Sequence, residues 1–133
     1  MVELNLSEKE LLEAAKKAAE NSYSPYSHYK VGCAVKTKDG HIFTGCNVEN
    51  ASYSLTICAE RNAIFKAISE GHRTFSEMAV YVDSEESFPP CGACRQVIYE
   101  FAPEIEIIYA NRKAIHKAFI TELFPSAFTL KKD

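Results

Sequence analysis

No stretch of the 133-residue chain approaches the about 20 consecutive apolar residues that a membrane-spanning helix needs. The opening "MVELNLSEKE" has neither the basic start nor the apolar middle of a secretory signal. The expected location is therefore the cytoplasm. Basic residues are not in excess: 15 Lys and Arg stand against 18 Asp and Glu, a net charge of −3, and they form no stripe. That excludes an affinity built on neutralising many phosphates, so neither nucleic acid nor a membrane is expected as a partner. A small neutral molecule remains open. Internal repeats and low-complexity tracts are also missing, and the length fits one domain, expected to span 1–133.

Cysteine, by contrast, is present in a telling number. There are five: Cys33, Cys46, Cys58, Cys91 and Cys94. An odd count in a cytosolic chain speaks against a disulfide framework and for metal binding or catalysis. Hydrophobic residues make up 47% of the chain, enough for a core that needs no such staples.

The periodicity predicts a first helix in "LSEKELLEAAKKAAENSYSP", with Leu11, Leu12, Ala15, Ala18 and Ala19 on one face. Ser7 and Glu10 have capping-box spacing, and Leu6 with Leu11 is the expected hydrophobic staple. Two strands follow around Asp39-Gly40, a hairpin signal. "CAERNAIFKAISEG" reads as a second helix with Ala59, Ala63, Ile64, Ala67 and Ile68 inward and Gly71 as its cap. "EMAVYVD" is a strand, and "CGACRQVIYEFA" is a helix entered after two prolines. "EIEIIYA" and "AIHKAFI" are two further strands joined by a tight connection, and "TELFPSAF" adds a helical turn. This order implies two crossovers, a parallel portion and a mixed sheet. Both internal helices start at carboxyl ends of strands, where sites in open α/β sheets lie.

Both of those starts carry cysteine. Cys58 opens one helix; Cys91 and Cys94 open the other. Three thiolates suit Zn²⁺, and the positive ends of two helix dipoles favour the thiolate form. Cys33 and Cys46 fall inside predicted strands, where small core residues are expected instead. That leaves three ligands and an open fourth position, the arrangement of a catalytic zinc. In "TICAER" a carboxylate, Glu60, stands two residues after the first ligand. A carboxylate in such a place is costly unless charge meets it. Zinc acidifies water, and a carboxylate beside it can take the proton and hand it on. Arg61 is placed to offset the net negative charge of three thiolates on one Zn²⁺.

"CAE" at 58–60 and "PCGAC" at 90–94, with "NVENASY" at 47–53 and the surrounding helix, resemble the zinc-dependent nucleoside deaminases, whose chemistry is known. Within them the chain is similar to the short, homotetrameric cytidine deaminases, from about residue 8 to about residue 128. The resemblance implies an α/β, three-layer fold with a five-stranded mixed sheet flanked by helices. It implies hydrolytic deamination of cytidine and deoxycytidine with one Zn²⁺ per chain on Cys58, Cys91 and Cys94. Glu60 would shuttle protons between water, ring N3 and departing ammonia. The Ala59 N–H would meet the pyrimidine 2-oxygen, Asn47 and Glu49 the ribose 3′-hydroxyl, and Tyr29 the base. Arg61 would hydrogen-bond a ligand sulfur. Pro89 replaces the serine usual in the family; the useful group there is the backbone carbonyl, which proline keeps. Phe128 would cross to a neighbouring subunit's site, and Tyr53 would lie near a subunit junction. The alternatives to that reading are a deaminase of a related aminopyrimidine nucleoside such as an antibiotic, and a non-catalytic structural zinc module.

Overall fold

The computed structural model describes residues 2–130; Met1 and residues 131–133, the two ends of the expected 1–133 unit, lie outside the described residues. Regular structure begins with α1 (Leu6–Ala19), whose cap is not the expected Ser7–Glu10 pair. Asn5 is the N-cap: its Oδ1 accepts the Glu8 N–H at 2.8 Å, and Glu8 Oε1 accepts the Asn5 N–H at 2.9 Å. Asparagine caps as well as serine does, so the helix starts two residues earlier than the Ser-x-x-Glu spacing suggests. Ser7 is thereby freed to donate to Glu77 at 2.9 Å. The expected staple is also absent, because Leu6 is 72% exposed. Leu4 instead packs on the Leu11–Leu12 cluster.

Five strands follow: β1 (Val31–Thr37), β2 (Ile42–Cys46), β3 (Phe75–Val82), β4 (Glu106–Ala110) and β5 (Ile115–Phe119). They form one mixed sheet in the order β2-β1-β3-β4-β5, with β3 and β4 the parallel pair. Helix α2 (Ala59–Ser69) links β2 to β3 across β1, and α3 (Gly92–Phe101) links β3 to β4. A four-residue helix, α4 (Ile120–Leu123), follows β5. The sheet is sandwiched. Ala34, Ala79 and Ile108 face α1, whereas Cys33, Val35, Met78, Val80 and Ile107 face α2 and α3. Period-2 alternation therefore sends each strand's neighbours into two different cores, which explains near-continuous burial along β1 and β3. This is the three-layer α/β fold expected from the family resemblance.

The topology also determines where the helices begin. Strands β2 and β3 both run antiparallel to β1, and β4 runs parallel to β3. Their carboxyl ends share one edge of the sheet, so α2 and α3 both depart from that edge. Helix α2 lies unusually close to β2. A Cβ on Gly45 would sit 2.5 Å from the Ala63 nitrogen and 2.8 Å from the Ala59 carbonyl oxygen. Only glycine permits that approach. Among the described residues no helix is long and apolar enough to cross a membrane.

Candidate active site

Cys58 is the N-cap residue of α2, and Cys91 is the N-cap of α3, with Cys94 in the first turn of α3. Neither cap residue's side chain bonds its helix's amides, so both thiols remain available. The two helix starts bring the three sulfurs together: Cys58 Sγ lies 3.7 Å from Cys91 Sγ, and Cys91 Sγ lies 3.4 Å from Cys94 Sγ. Sulfurs about 2.3 Å from a tetrahedral zinc are separated by about 3.8 Å, so this spacing suits one Zn²⁺. The three residues are placed to hold one metal ion. Their donors are all sulfur, the chemistry that selects zinc over harder cations. Cys33, wholly buried in the core, and Cys46, on β2, stand outside this group.

Charge in the site is organised around Cys58. Its thiol is brought down to about 5, chiefly by a hydrogen bond from Cys94 and then by Arg61 and Cys91, against the opposing effect of burial. The Cys94 thiol is correspondingly pushed up, first because its own proton is held in the hydrogen bond to Cys58, then by burial and the nearby negative charge of Glu60. Arg61 Nη2 donates to Cys58 Sγ at 3.4 Å. Among the described residues the buried Arg61 Nε–H has no hydrogen-bond partner. A cation so placed is matched by the negative charge of a deprotonated sulfur set. Glu60, in the first turn of α2, is 5% exposed. Burial, followed by the charge on Cys58, pushes its carboxyl up to about 7, although its own backbone N–H and Arg61 pull the other way.

A cavity of about 200 Å³ opens at this edge of the sheet. Cys58, Ala59, Glu60 and Cys91 line it, together with Asn47, Glu49 and Pro89. Asn47 is committed to its own chain as well: its Nδ2 donates to the Tyr29 carbonyl at 2.8 Å, and its Oδ1 accepts from the Val31 N–H at 3.0 Å and from Ser22. Asn47 thus ties the start of β1 to the loop after β2 and retains one amide hydrogen. Glu49 Oε1 accepts from the backbone N–H groups of Tyr26 and Ser27 at 3.0 and 3.1 Å. Partial burial tends to raise its pKa, but hydrogen bonds from Ser27 and Tyr26 outweigh it and hold the carboxyl below the ordinary range.

Three of the expected substrate-binding and junction residues stand apart from the cavity wall in the single chain. Tyr29 reaches it indirectly: its ring meets Phe88 edge-on at 5.4 Å, and its hydroxyl donates to Glu86 at 2.8 Å. Tyr53 is 72% exposed and meets Tyr26 edge-on. Phe128 is 63% exposed, held by a 3.0 Å hydrogen bond from Gln96 Nε2 to its carbonyl. The sequence reading missed Phe88, Thr56 and Tyr109, which also line the cavity. Phe88 lies in a loop with no periodicity to flag it. Val80 and Val82, on alternate positions of β3, were recognisable as a strand face but not as cavity wall.

The chain is similar to known proteins in sequence and fold. Residues 6–118 match the family model described as the cytidine and deoxycytidylate deaminase zinc-binding region. A cytidine deaminase of Sporosarcina psychrophila is 48% identical over 121 residues, covering 90% of this chain and 89% of that one. One from Halalkalibacterium halodurans is 47% identical over 121 residues, covering 90% and 92%. The crystal structure of cytidine deaminase from Burkholderia pseudomallei superposes with a TM-score of 0.86 at 46% identity, over 90% of this chain and 98% of that one. With three sulfurs at two helix starts and a buried glutamate beside them, the chain belongs to the cytidine and deoxycytidylate deaminase zinc-binding family.

Proposed function

We propose that the chain is a cytidine deaminase: it replaces the 4-amino group of cytidine or deoxycytidine by oxygen from water and releases ammonia. The observation that carries this reading is a single cavity lined at once by thiols, a buried carboxylate and two polar side chains suited to a sugar. Zinc held by Cys58, Cys91 and Cys94 would supply the polarisation that makes water nucleophilic near neutral pH.

The chain's own groups do the rest. Glu60, with its carboxyl near neutrality, takes a proton from water, passes it to ring N3 and finally serves the departing ammonia. The Ala59 N–H, at the positive end of α2, meets the pyrimidine 2-oxygen. Ionised Glu49 accepts from the ribose 3′-hydroxyl, and the remaining amide hydrogen of Asn47 donates to it. Phe88, with the Tyr29 ring packed edge-on against it, makes the apolar wall against the base. The Pro89 carbonyl accepts from ammonia. Arg61 moderates the sulfur charge through its bond to Cys58.

The same reading makes residues 1–133 one catalytic domain, acting in the cytoplasm in pyrimidine salvage as a homotetramer of dihedral symmetry. Exposed Tyr53 and Phe128 support the tetramer, since both are large apolar side chains without cover in one chain. Phe128 closes a neighbour's site and Tyr53 lies at the junction. A purely structural zinc module would leave the cavity and the buried Glu60 without a role.

Ammonia release from cytidine, deoxycytidine, adenosine, free cytosine and single-stranded DNA, with and without zinc, tests the proposal. Zinc-dependent release from the two cytosine nucleosides alone is expected. Sites with buried polar groups discriminate against ligands that leave them unpaired, so free cytosine should be poor. Equal turnover of cytosine and cytidine would refute sugar recognition, and no release from any nucleoside would refute the activity.

A further inference from the structure

At the end of α2 remote from the sulfurs, a second group of metal-ligating side chains converges. Asp39 lies in the β1–β2 turn, His41 follows it, and His72 lies just past α2. One ligand atom of each lies within 4.8 Å of the others. Asp39 Oδ1 is 3.3 Å from His41 Nδ1 and 3.5 Å from His72 Nδ1. Nitrogen and oxygen ligands about 2.0–2.1 Å from a tetrahedral zinc are separated by about 3.3 Å. The two imidazole rings are 4.7 Å apart, tilted by 47°.

Backbone structure holds these three side chains in place. The Thr37 N–H bonds the His41 carbonyl at 2.8 Å, and the Gly40 N–H bonds the Thr37 carbonyl at 3.0 Å, closing a three-residue turn with Gly40 at φ +95°. His72 is fixed by a Schellman motif: its N–H bonds the Ala67 carbonyl and the Gly71 N–H bonds that of Ile68, each at 3.0 Å, with Gly71 at φ +93°. The two segments are already joined, since the Lys38 N–H donates to the Thr74 carbonyl at 3.1 Å. Behind the group sits Thr37, 1% exposed. Its hydroxyl donates to Asp39 Oδ1 and accepts the His41 N–H at 3.0 Å. It therefore orients the carboxylate as outer partners of metal ligands do. The Phe43 ring lies 5.1 Å from that of His72 and covers one side.

We propose that Asp39, His41 and His72 form a second divalent-metal site, separate from the cysteine site and suited to a borderline cation such as Zn²⁺ or Ni²⁺. Two imidazoles and one carboxylate are the donors such ions prefer, and three protein ligands leave room for water. A metal there pins the β1–β2 turn to the carboxyl end of α2. Helix α2 has 11 residues, so this clamp sits about 16 Å along the axis from its cysteine-bearing start.

The test uses protein whose cysteine site has been loaded and quantified with zinc. It is titrated with Zn²⁺ and, separately, with Ni²⁺, reading bound metal by equilibrium dialysis and elemental analysis, and the melting temperature alongside. A second equivalent per chain is expected, with the melting temperature rising as it fills. His41→Gln and His72→Gln should each weaken that equivalent by more than the roughly 10–100-fold that loss of an outer partner costs. His116→Gln should not, and the first equivalent and ammonia release should persist in all three. Saturation at one metal per chain overturns the proposal. So does a second equivalent that survives in the His41→Gln/His72→Gln double variant.

Discussion

In the proposed mechanism Glu60 and the cysteines divide the labour of the site, and substitutions should separate them. Cys58→Ala, Cys91→Ala and Cys94→Ala each remove one of three sulfurs at 3.4–3.7 Å spacing and should lose the bound zinc. Cys33→Ala and Cys46→Ala should keep it, because Cys33 is sealed in the core and Cys46 belongs to β2. Metal content of the purified variants decides this; full zinc in Cys58→Ala would overturn the three-sulfur set. Glu60→Gln keeps the shape and removes the base. General acid–base catalysis is worth about 10²–10⁴-fold, and a group serving several transfers should cost the upper end of that range in kcat with zinc retained. Turnover within a few-fold of wild type would exclude the shuttle. These residues were legible because their types and spacing are chemically unusual: a thiol two positions from a carboxylate, and a second thiol pair after two prolines. Phe88 and Thr56 were not, because a lone aromatic or threonine in a loop has no chemistry that singles it out.

Elements were legible where hydrophobic period and turn residues agreed. All five strands and the three long helices follow the apolar pattern. Errors arose where two local signals competed: Asn5 and Ser7 are both good caps, and only tertiary contacts, Ser7 to Glu77 and Leu4 to the α1 core, decide between them. The true cap has a testable second duty. Glu8 closes the capping box through Oε1 while its Oε2 pairs with Lys117 Nζ on β5 at 2.7 Å. Partial burial opposes ionisation of Glu8, but Lys117 and the Asn5 N–H lower its pKa below the ordinary 4.5. A depressed carboxyl stabilises the fold above its unfolded value and loses that contribution as pH falls through its folded value. Glu8→Gln preserves the box and removes the ion pair, so it should cost about 0.5 kcal/mol at neutral pH. The stability difference from wild type should shrink as pH drops below about 4.5. Denaturant melts across that range check it; a difference that did not change with pH would assign the effect to something other than charge.

For the whole molecule, one chain presents a site whose proposed lid, Phe128, points to solvent. A shared lid predicts complementation. Glu60→Gln chains lack the base but carry an intact Phe128; Phe128→Ala chains have the reverse. If the proposed homotetramer forms, mixed assemblies should recover near-normal sites, because a site with its own Glu60 borrows a neighbour's Phe128. No recovery after demonstrated subunit exchange, or an active monomer by light scattering, would count against it. Assembly was the least legible property of the residues themselves, since an exposed aromatic after a proline reads equally well as packed on its own sheet. The close seat of α2 on β2 has a further consequence, best put as a matter of tolerance. With main chain resting on main chain at Gly45, the helix is registered against the sheet without any compressible side chain between them. Gly45→Ala inserts a one-carbon shim under the end of α2 that carries Cys58 and Glu60. Misplacement by about 1 Å costs on the order of 10²-fold in rate. Gly45→Ala should therefore lose kcat far more than it loses zinc, measured side by side on one preparation, and unchanged turnover in a folded variant would show that the seat has slack.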